Sequence, residues 1–317
     1  MERLRRALPL FAAGTALLAL VLCPETAAEG ARDGLVLCAE MLVPSLLPFF
    51  IVSGLLRRMG LPGILGRMIE PAAVRLFSLS GAGATALLLG FTGGYPLGAK
   101  AIADLVRDGA MDTGEAERAV CFCNNTGPAF LIGAAGTGVF HDRRLGLLLY
   151  LTHIAAAWIL GLLLAPRHTE RVSRERAAVR TLSVGAALPD AVREAVDAML
   201  TVCGFAVTFS VLTGLAQTAG LLGAVTAFLT GTFNAAPQFI RALLTGLLEL
   251  GSGIGAMQGL APTKKNTALA AFLIGFGGVS VHCQTAAMLA GTGVRLKKHF
   301  WARVLHGMLA ALMMLAI

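Results

Sequence analysis

Gly93-Gly94-Tyr95-Pro96 and Asn124-Asn125-Thr126-Gly127-Pro128 interrupt two apolar segments at mid-length within residues 88–139, and their reading decides the fold. Runs such as 84–91 and 129–136 are apolar enough for lipid. Gly-Gly and Pro nevertheless free backbone donors and acceptors that hydrocarbon cannot satisfy. Backbone broken at membrane depth therefore requires a protein-lined or watery cavity. Similar interruptions recur in the second half, at Gly251-Ser252-Gly253-Ile254-Gly255 and around Gly277-Gly278-Val279-Ser280. Paired discontinuous segments in corresponding positions of two halves point to the midplane site of a transporter.

Working outward, the composition supports a membrane setting. The 317 residues are 56% hydrophobic and 14% charged, against roughly 25% charged in soluble domains. The mean hydropathy is +0.75. Apolar segments run from end to end and no polar stretch is long enough to fold by itself, which predicts one all-α polytopic domain in two halves, integral to a membrane and in contact with lipid. The net charge of +8 resides in short connectors without interleaved aromatic residues, so it reads as positive-inside topology and not as a nucleic-acid surface. Six cysteines, at positions 23, 38, 121, 123, 203 and 283, form no CxxC pair. Cys121-x-Cys123 has the wrong spacing for a metal knuckle, so the cysteines read as packing residues, with no metal site. No HExxH, paired-carboxylate, serine–histidine or GxxxxGK[ST] arrangement is present, which argues against an enzyme and against ATP-driven transport by this chain alone.

Taken in order, residues 1–33 read as an N-terminal transmembrane helix, retained or serving as a signal anchor, with a cleaved signal peptide as the other reading. A first repeat follows at 34–165, a basic cytoplasmic loop at 166–187 and a second repeat at 188–317. Within the first repeat, 35–56 spans, kinked by Pro44 and Pro48, and Arg57-Arg58 marks its cytoplasmic end. Residues 61–77 form an interfacial amphipathic helix or a solvated connector. If 80–106 re-enters as a hairpin and 116–140 crosses with an unwound middle, the acidic group from Asp104 to Glu117 and the arginines from Arg167 to Arg180 share the cytoplasmic side. A crossing followed by a hairpin is the other assignment. In the second repeat, 188–218 spans, 221–233 is interfacial, 237–259 is a hairpin, 266–289 an interrupted span and 299–317 the last helix. Ala135-Gly136-Thr137-Gly138-Val139 recurs as Ala290-Gly291-Thr292-Gly293-Val294, each before paired basic residues. The charge pattern makes the repeats inverted, with Lys264-Lys265 external against the rule.

Four broken helices at one depth expose N–H groups suited to anions or polar solutes, and carbonyls suited to Na⁺ or protons. The expected substrate-binding residues are Thr92, Gly93, Gly94, Tyr95 and Lys100 at the first hairpin, and Asn124, Asn125 and Thr126 at the second break. Ser252 joins them at the second hairpin, and Ser280, His282 and Gln284 at the fourth break. The asparagines also have a capping role open to them, and His282 a structural hydrogen bond. Glu249 is a carboxylate inside an apolar run, either an ion-coupling residue or structural glue to Arg241 or Lys100. No cofactor is expected, with a coupling Na⁺ or H⁺ left open. Gly-rich helices such as 214–231 permit close packing within the chain or in a homo-oligomer.

Three motifs carry a resemblance to a known family: 90–100 (GFTGGYPLGAK), 123–128 (CNNTGP) and 248–253 (LELGSG). The chain resembles the sporulation integral membrane proteins of the YlbJ type, which carry the nucleoside-recognition Gate domain. The resemblance runs from about residue 35 to the end. It implies an architecture similar to concentrative nucleoside transporters, with inverted repeats, re-entrant hairpins and unwound helices. It further implies a part in endospore formation, at a membrane around the forespore and beside other sporulation membrane proteins, moving dipicolinic acid. Transport of a nucleoside or another small solute, and a non-transporting scaffold, stand as alternatives.

Overall fold

The computed structural model describes residues 2–166 and 182–317, so the arginines of the basic loop from Arg167 to Arg180 lie outside the described residues. Among the described residues the chain is 83% helical with no strand. Four helices of the described residues are long and apolar enough to cross a membrane, or up to six if two bent pairs each count as one.

After α1 (Glu2–Leu22), α2 (Pro24–Leu37) leads through a π-helical turn, Cys38–Leu42, into α3 (Val43–Arg58). Residues 24–58 thus follow one path, bent by 55° where Pro44 interrupts the ladder. The division drawn after residue 33 falls inside α2, which Pro24 starts at a position where a missing N–H costs nothing. This path packs antiparallel on α9 (Val184–Thr218), with Gly30 against Val211, Gly34 against Val207 and Gly54 against Ala191. A Cβ at Gly30 or Gly34 would come within 2.9 and 2.7 Å of a Cα of α9, so the two helices touch backbone to backbone.

The first broken segment is a hairpin. After α4 (Leu61–Phe77), α5 (Gly81–Gly93) and α6 (Leu97–Arg107) double back so that Gly90 meets Gly98. α7 (Thr113–Cys123) lies along their seam, and a Cβ on either glycine would collide with the Cys123 carbonyl oxygen. Glu115 fastens the base of the hairpin, accepting from Ser80 N at 2.6 Å and Ser80 Oγ at 2.8 Å. The second broken segment continues past its break: α7 unwinds at 124–128 and resumes as a π-helical stretch, Ala129–Val139. α8 (Arg143–Leu164) returns beside both pieces, with Gly146 on Gly136 and Gly161 on Phe122. The chain thus doubles back at its first break and runs on past its second.

After α9 the same order of elements follows: α10 (Leu221–Phe233), the hairpin of α11 (Pro237–Leu248) and α12 (Leu250–Gly255), the interrupted pair α13 (Lys264–Phe276) and α14 (Gly278–Leu289), and the returning α15 (Lys297–Ala316). One expectation is corrected here. The run Gly251–Gly255 is helical, and the second hairpin breaks at Glu249 instead, because that carboxylate caps α12 by accepting from Gly251 N at 2.9 Å and Ser252 N at 2.5 Å. The glycines serve close approach, Gly253 lying on Gly246.

The two hairpins open at opposite ends of the molecule. That of α5–α6 opens where Arg57 pairs with Asp108 at 3.1 Å and where Arg107 donates to the carbonyls of Met288 and Ala290. That of α11–α12 opens where Ile254 and Met257 share a core with Phe140, Leu269 and Met314. The seam glycines should therefore be intolerant of a side chain. Gly90→Val is expected to lower stability by ~1–3 kcal/mol through overpacking, whereas Gly204→Val, with no atom within 4 Å of its Cβ position, should be near neutral. Thermal melting of the detergent-purified variants checks this, and equal melting temperatures would refute the seam.

Candidate functional site

All four breaks meet at one buried place. Gly94 at the first hairpin tip has φ +86°, and a Cβ there would lie 2.8 Å from Gly127 N at the second break. Gly277 and Gly278 at the fourth break have φ +89° and +72°, and a Cβ at Gly278 would lie 2.9 Å from Gly246 O and 3.2 Å from Leu250 N, beside the second hairpin tip. All three positions need glycine, for a left-handed backbone and for close approach. Tyr95 and Thr126 tie the halves together, since Tyr95 Oη donates to Ile274 O at 3.3 Å and Thr126 Oγ1 donates to the same carbonyl at 3.4 Å. That carbonyl belongs to the last turn of α13, where the break leaves it without a helical partner.

The asparagines are fully buried, and each amide meets a protein partner through both its oxygen and its nitrogen. Asn124 Oδ1 accepts from Ala99 N at 3.2 Å while its Nδ2 donates to Thr285 Oγ1 at 2.9 Å, stitching α6 to α14. Asn125 Nδ2 donates to Phe122 O at 2.6 Å, capping the unwound end of α7, and its Oδ1 accepts from Arg303 Nη1 at 3.4 Å. Gln284 and Ser280 bond each other at 3.1 Å one turn apart on α14.

Other expected site residues fall elsewhere. Thr92 is exposed and donates back to Leu88 O at 2.9 Å on its own helix, so it does not join the convergence. Lys100 sits at the ion-paired end, 2.9 Å from Asp104 and 3.9 Å from Glu194. There it lines a cleft of about 630 Å³ bounded by α3, α6, α9 and α14. Glu249 pairs with neither Arg241 nor Lys100 and spends its oxygens on the N-terminus of α12. Ser252 contributes its N–H to that cap. His282 is held by ring contacts to Phe276, His299 and Phe300, and its Nε2 makes no hydrogen bond among the described residues, so the structural hydrogen bond expected of it is not made through that atom.

Sequence reading passed over the residues at the centre, which come from the two returning helices. Arg303 on α15 is 1% exposed and donates to Tyr95 Oη and Asn125 Oδ1, with its guanidinium 5.3 Å from the Tyr95 ring centre. Its Nη1 also lies 2.8 Å from His306 Nδ1, His306 Nε2 lies 3.1 Å from His153 Nδ1, and Thr126 N donates to His153 Nε2 at 3.1 Å. A signal was present: a lone arginine inside an apolar span is a candidate by default, and Arg303 and His306 stand at the i, i+3 spacing that shares a helix face. Among the described residues no three His, Cys, Asp or Glu groups gather around a metal-sized position.

With this geometry in place, comparison with known proteins gives two findings. The family model described as Nucleoside recognition (Gate) matches residues 39–143, which covers the first hairpin and the second break. The sporulation integral membrane protein YlbJ of Bacillus subtilis (strain 168) is 32% identical over 319 aligned residues, covering 93% of this chain and 78% of that protein. The chain belongs to the YlbJ family. Like that relative it is an integral membrane protein, and its apolar helices fit the setting. No solved structure matches.

Within this YlbJ-family fold Asn124 holds two helices, so its removal should be felt in stability. Asn124→Ala leaves the buried Ala99 N–H without its acceptor and removes the bond that the Thr285 hydroxyl accepts, and is expected to cost ~1–3 kcal/mol. A melting temperature equal to wild type would show that these two bonds contribute nothing.

Proposed function

We propose that the chain is a membrane transporter built on two inverted repeats with re-entrant hairpins, similar in architecture to concentrative nucleoside transporters, moving a small organic anion by alternating access. The observation that carries this reading is the convergence of four broken segments, two from each half, on one buried place, with their hairpins opening at opposite ends. Broken helices at midplane depth in two pseudo-symmetric halves are how such transporters build a solute site. The end holding Arg57, Arg58, Arg107 and Arg295 is the cytoplasmic one by its basic residues, and Lys264-Lys265 then lies outside.

Dipicolinate is the named candidate, on the family's tie to spore formation. Its planar dianion suits helix N-termini and amide donors such as Asn124 and Asn125. Glu249 serves here by positioning α12. No catalytic chemistry is assigned. Two observations favour other readings. The matching family model is described as nucleoside recognition, which makes a nucleoside the rival solute. The bonds that Asn124, Asn125 and Glu249 already make to protein partners suit a membrane scaffold.

The test is uptake of labelled dipicolinate by proteoliposomes containing the purified chain, with uridine in parallel. Saturable dipicolinate uptake above protein-free liposomes is expected. Uridine uptake alone would overturn the substrate and keep the transporter. Uptake of neither by well-folded protein would favour the scaffold.

A further inference from the structure

Arg303 is a cation buried at the meeting point of the breaks, and its neighbours there are neutral. Among the described residues no carboxylate pairs with it, and its acceptors are a phenol, an amide and an imidazole. Its Nε has no hydrogen-bond partner among the described residues. A guanidinium taken from water into such a place costs several kcal/mol unless a counter-charge and further acceptors offset the loss. Carboxylates stand beside several other arginines of this protein, as at Arg57 with Asp104, Asp108 and Glu194 and at Arg58 with Asp190 and Glu194.

The histidines beside it sharpen the point, because the proton count of their chain can be worked through. The Thr126 N–H is a fixed donor to His153 Nε2. Neutral His153 therefore carries its proton on Nδ1 and donates to His306 Nε2. Neutral His306 then carries its proton on Nδ1, which faces Arg303 Nη1, also a donor. Two donors oppose each other at 2.8 Å. Exchanging the tautomers of both rings only moves the conflict to Thr126. An acceptor oxygen beside Arg303 and His306 removes it by accepting one hydrogen bond from each.

We infer that Arg303 and His306 together bind an anionic oxygen of the transported solute, a carboxylate in the first instance, at the junction of the first hairpin tip and the second break. This deepens the transporter reading and rests on it. The same guanidinium holds Tyr95 on the hairpin tip and Asn125 at the second break, so the anion touches both through one side chain. Protein carboxylates do not compete there, since Glu115, Glu117 and Glu249 are each spent on other partners.

Binding and transport are measured separately so that the two readings fail separately. The full chain, purified in detergent, is titrated with dipicolinate, benzoate and uridine, following the melting temperature and heat of binding, for wild type, Arg303→Gln, Arg303→Lys and His306→Gln. Wild type should bind the two carboxylates. Arg303→Gln should lose at least tenfold in affinity for them while melting no lower than the unliganded wild type, because it removes a buried charge without a counter-charge. A merely structural arginine would instead give a marked fall in melting temperature. Arg303→Lys, keeping the charge without the fork, should bind with intermediate affinity, and His306→Gln should weaken both carboxylates alike. Carboxylate binding unchanged in well-folded Arg303→Gln, or uridine binding alone in wild type, would overturn the inference, whatever proteoliposomes transport. Binding as expected with no transport by wild type would leave this site standing and overturn the transporter.

Discussion

In an apolar interior every backbone N–H and C=O must find a partner inside the protein, and this fold is arranged around four places where the helical ladder stops supplying one. The solutions differ at each break. Thr126 N is taken by a histidine, Ile274 O by a tyrosine and a threonine, and the N–H groups of Gly251 and Ser252 by the Glu249 carboxylate. Because most partners come from a different broken segment or from a returning helix, the breaks cannot be placed independently. Each is stable only where another stands, and this cross-dependence draws two halves of one chain to a common centre.

Glycine makes the arrangement possible by letting backbones approach where side chains would hold them apart. The hairpin seams at Gly90, Gly98, Gly246 and Gly253 and the helix pairs at Gly136 with Gly146 and Gly275 with Gly307 repeat one device. In lipid, where apolar side chains gain little by exchanging tails for one another, dispersion between closely apposed backbones is a main source of helix association. The long pair formed by residues 24–58 and α9 uses the same contact at Gly30 and Gly34.

Much of this was legible in the sequence, and the exceptions have physical causes. The first, second and fourth breaks could be read because Gly-Gly, Asn-Asn and Pro are poor helix formers and no neighbour overrides them at these places. The third was misplaced by a few residues, since Gly251–Gly255 has poor intrinsic helicity that a carboxylate cap and a tight neighbour override. Lys100 suggested a site residue by its charge and nearness to the motif, but nothing local reveals Asp104 and Glu194 folding around it. Arg303, His306 and His153 were passed over because Arg303 lies 208 residues from Tyr95 and His306 lies 153 residues from His153 in chain order, and only the return of α8 and α15 beside the breaks brings them together.

The cleft at the ion-paired end has a further consequence. Its lining carries four basic residues, Arg57, Arg58, Lys100 and Arg107, and four acidic ones, Asp104, Asp108, Glu194 and Asp197. Steering of a charged solute from bulk requires a field of one sign that outlasts the screening length of salt water, about 10 Å at 0.1 M. A cleft whose described lining cancels within a few ångströms adds no such field of its own. Its charges act locally, as ion pairs that hold α3, α6 and α9 together, and the strength of that clamp falls little with salt where the pairs are half-buried.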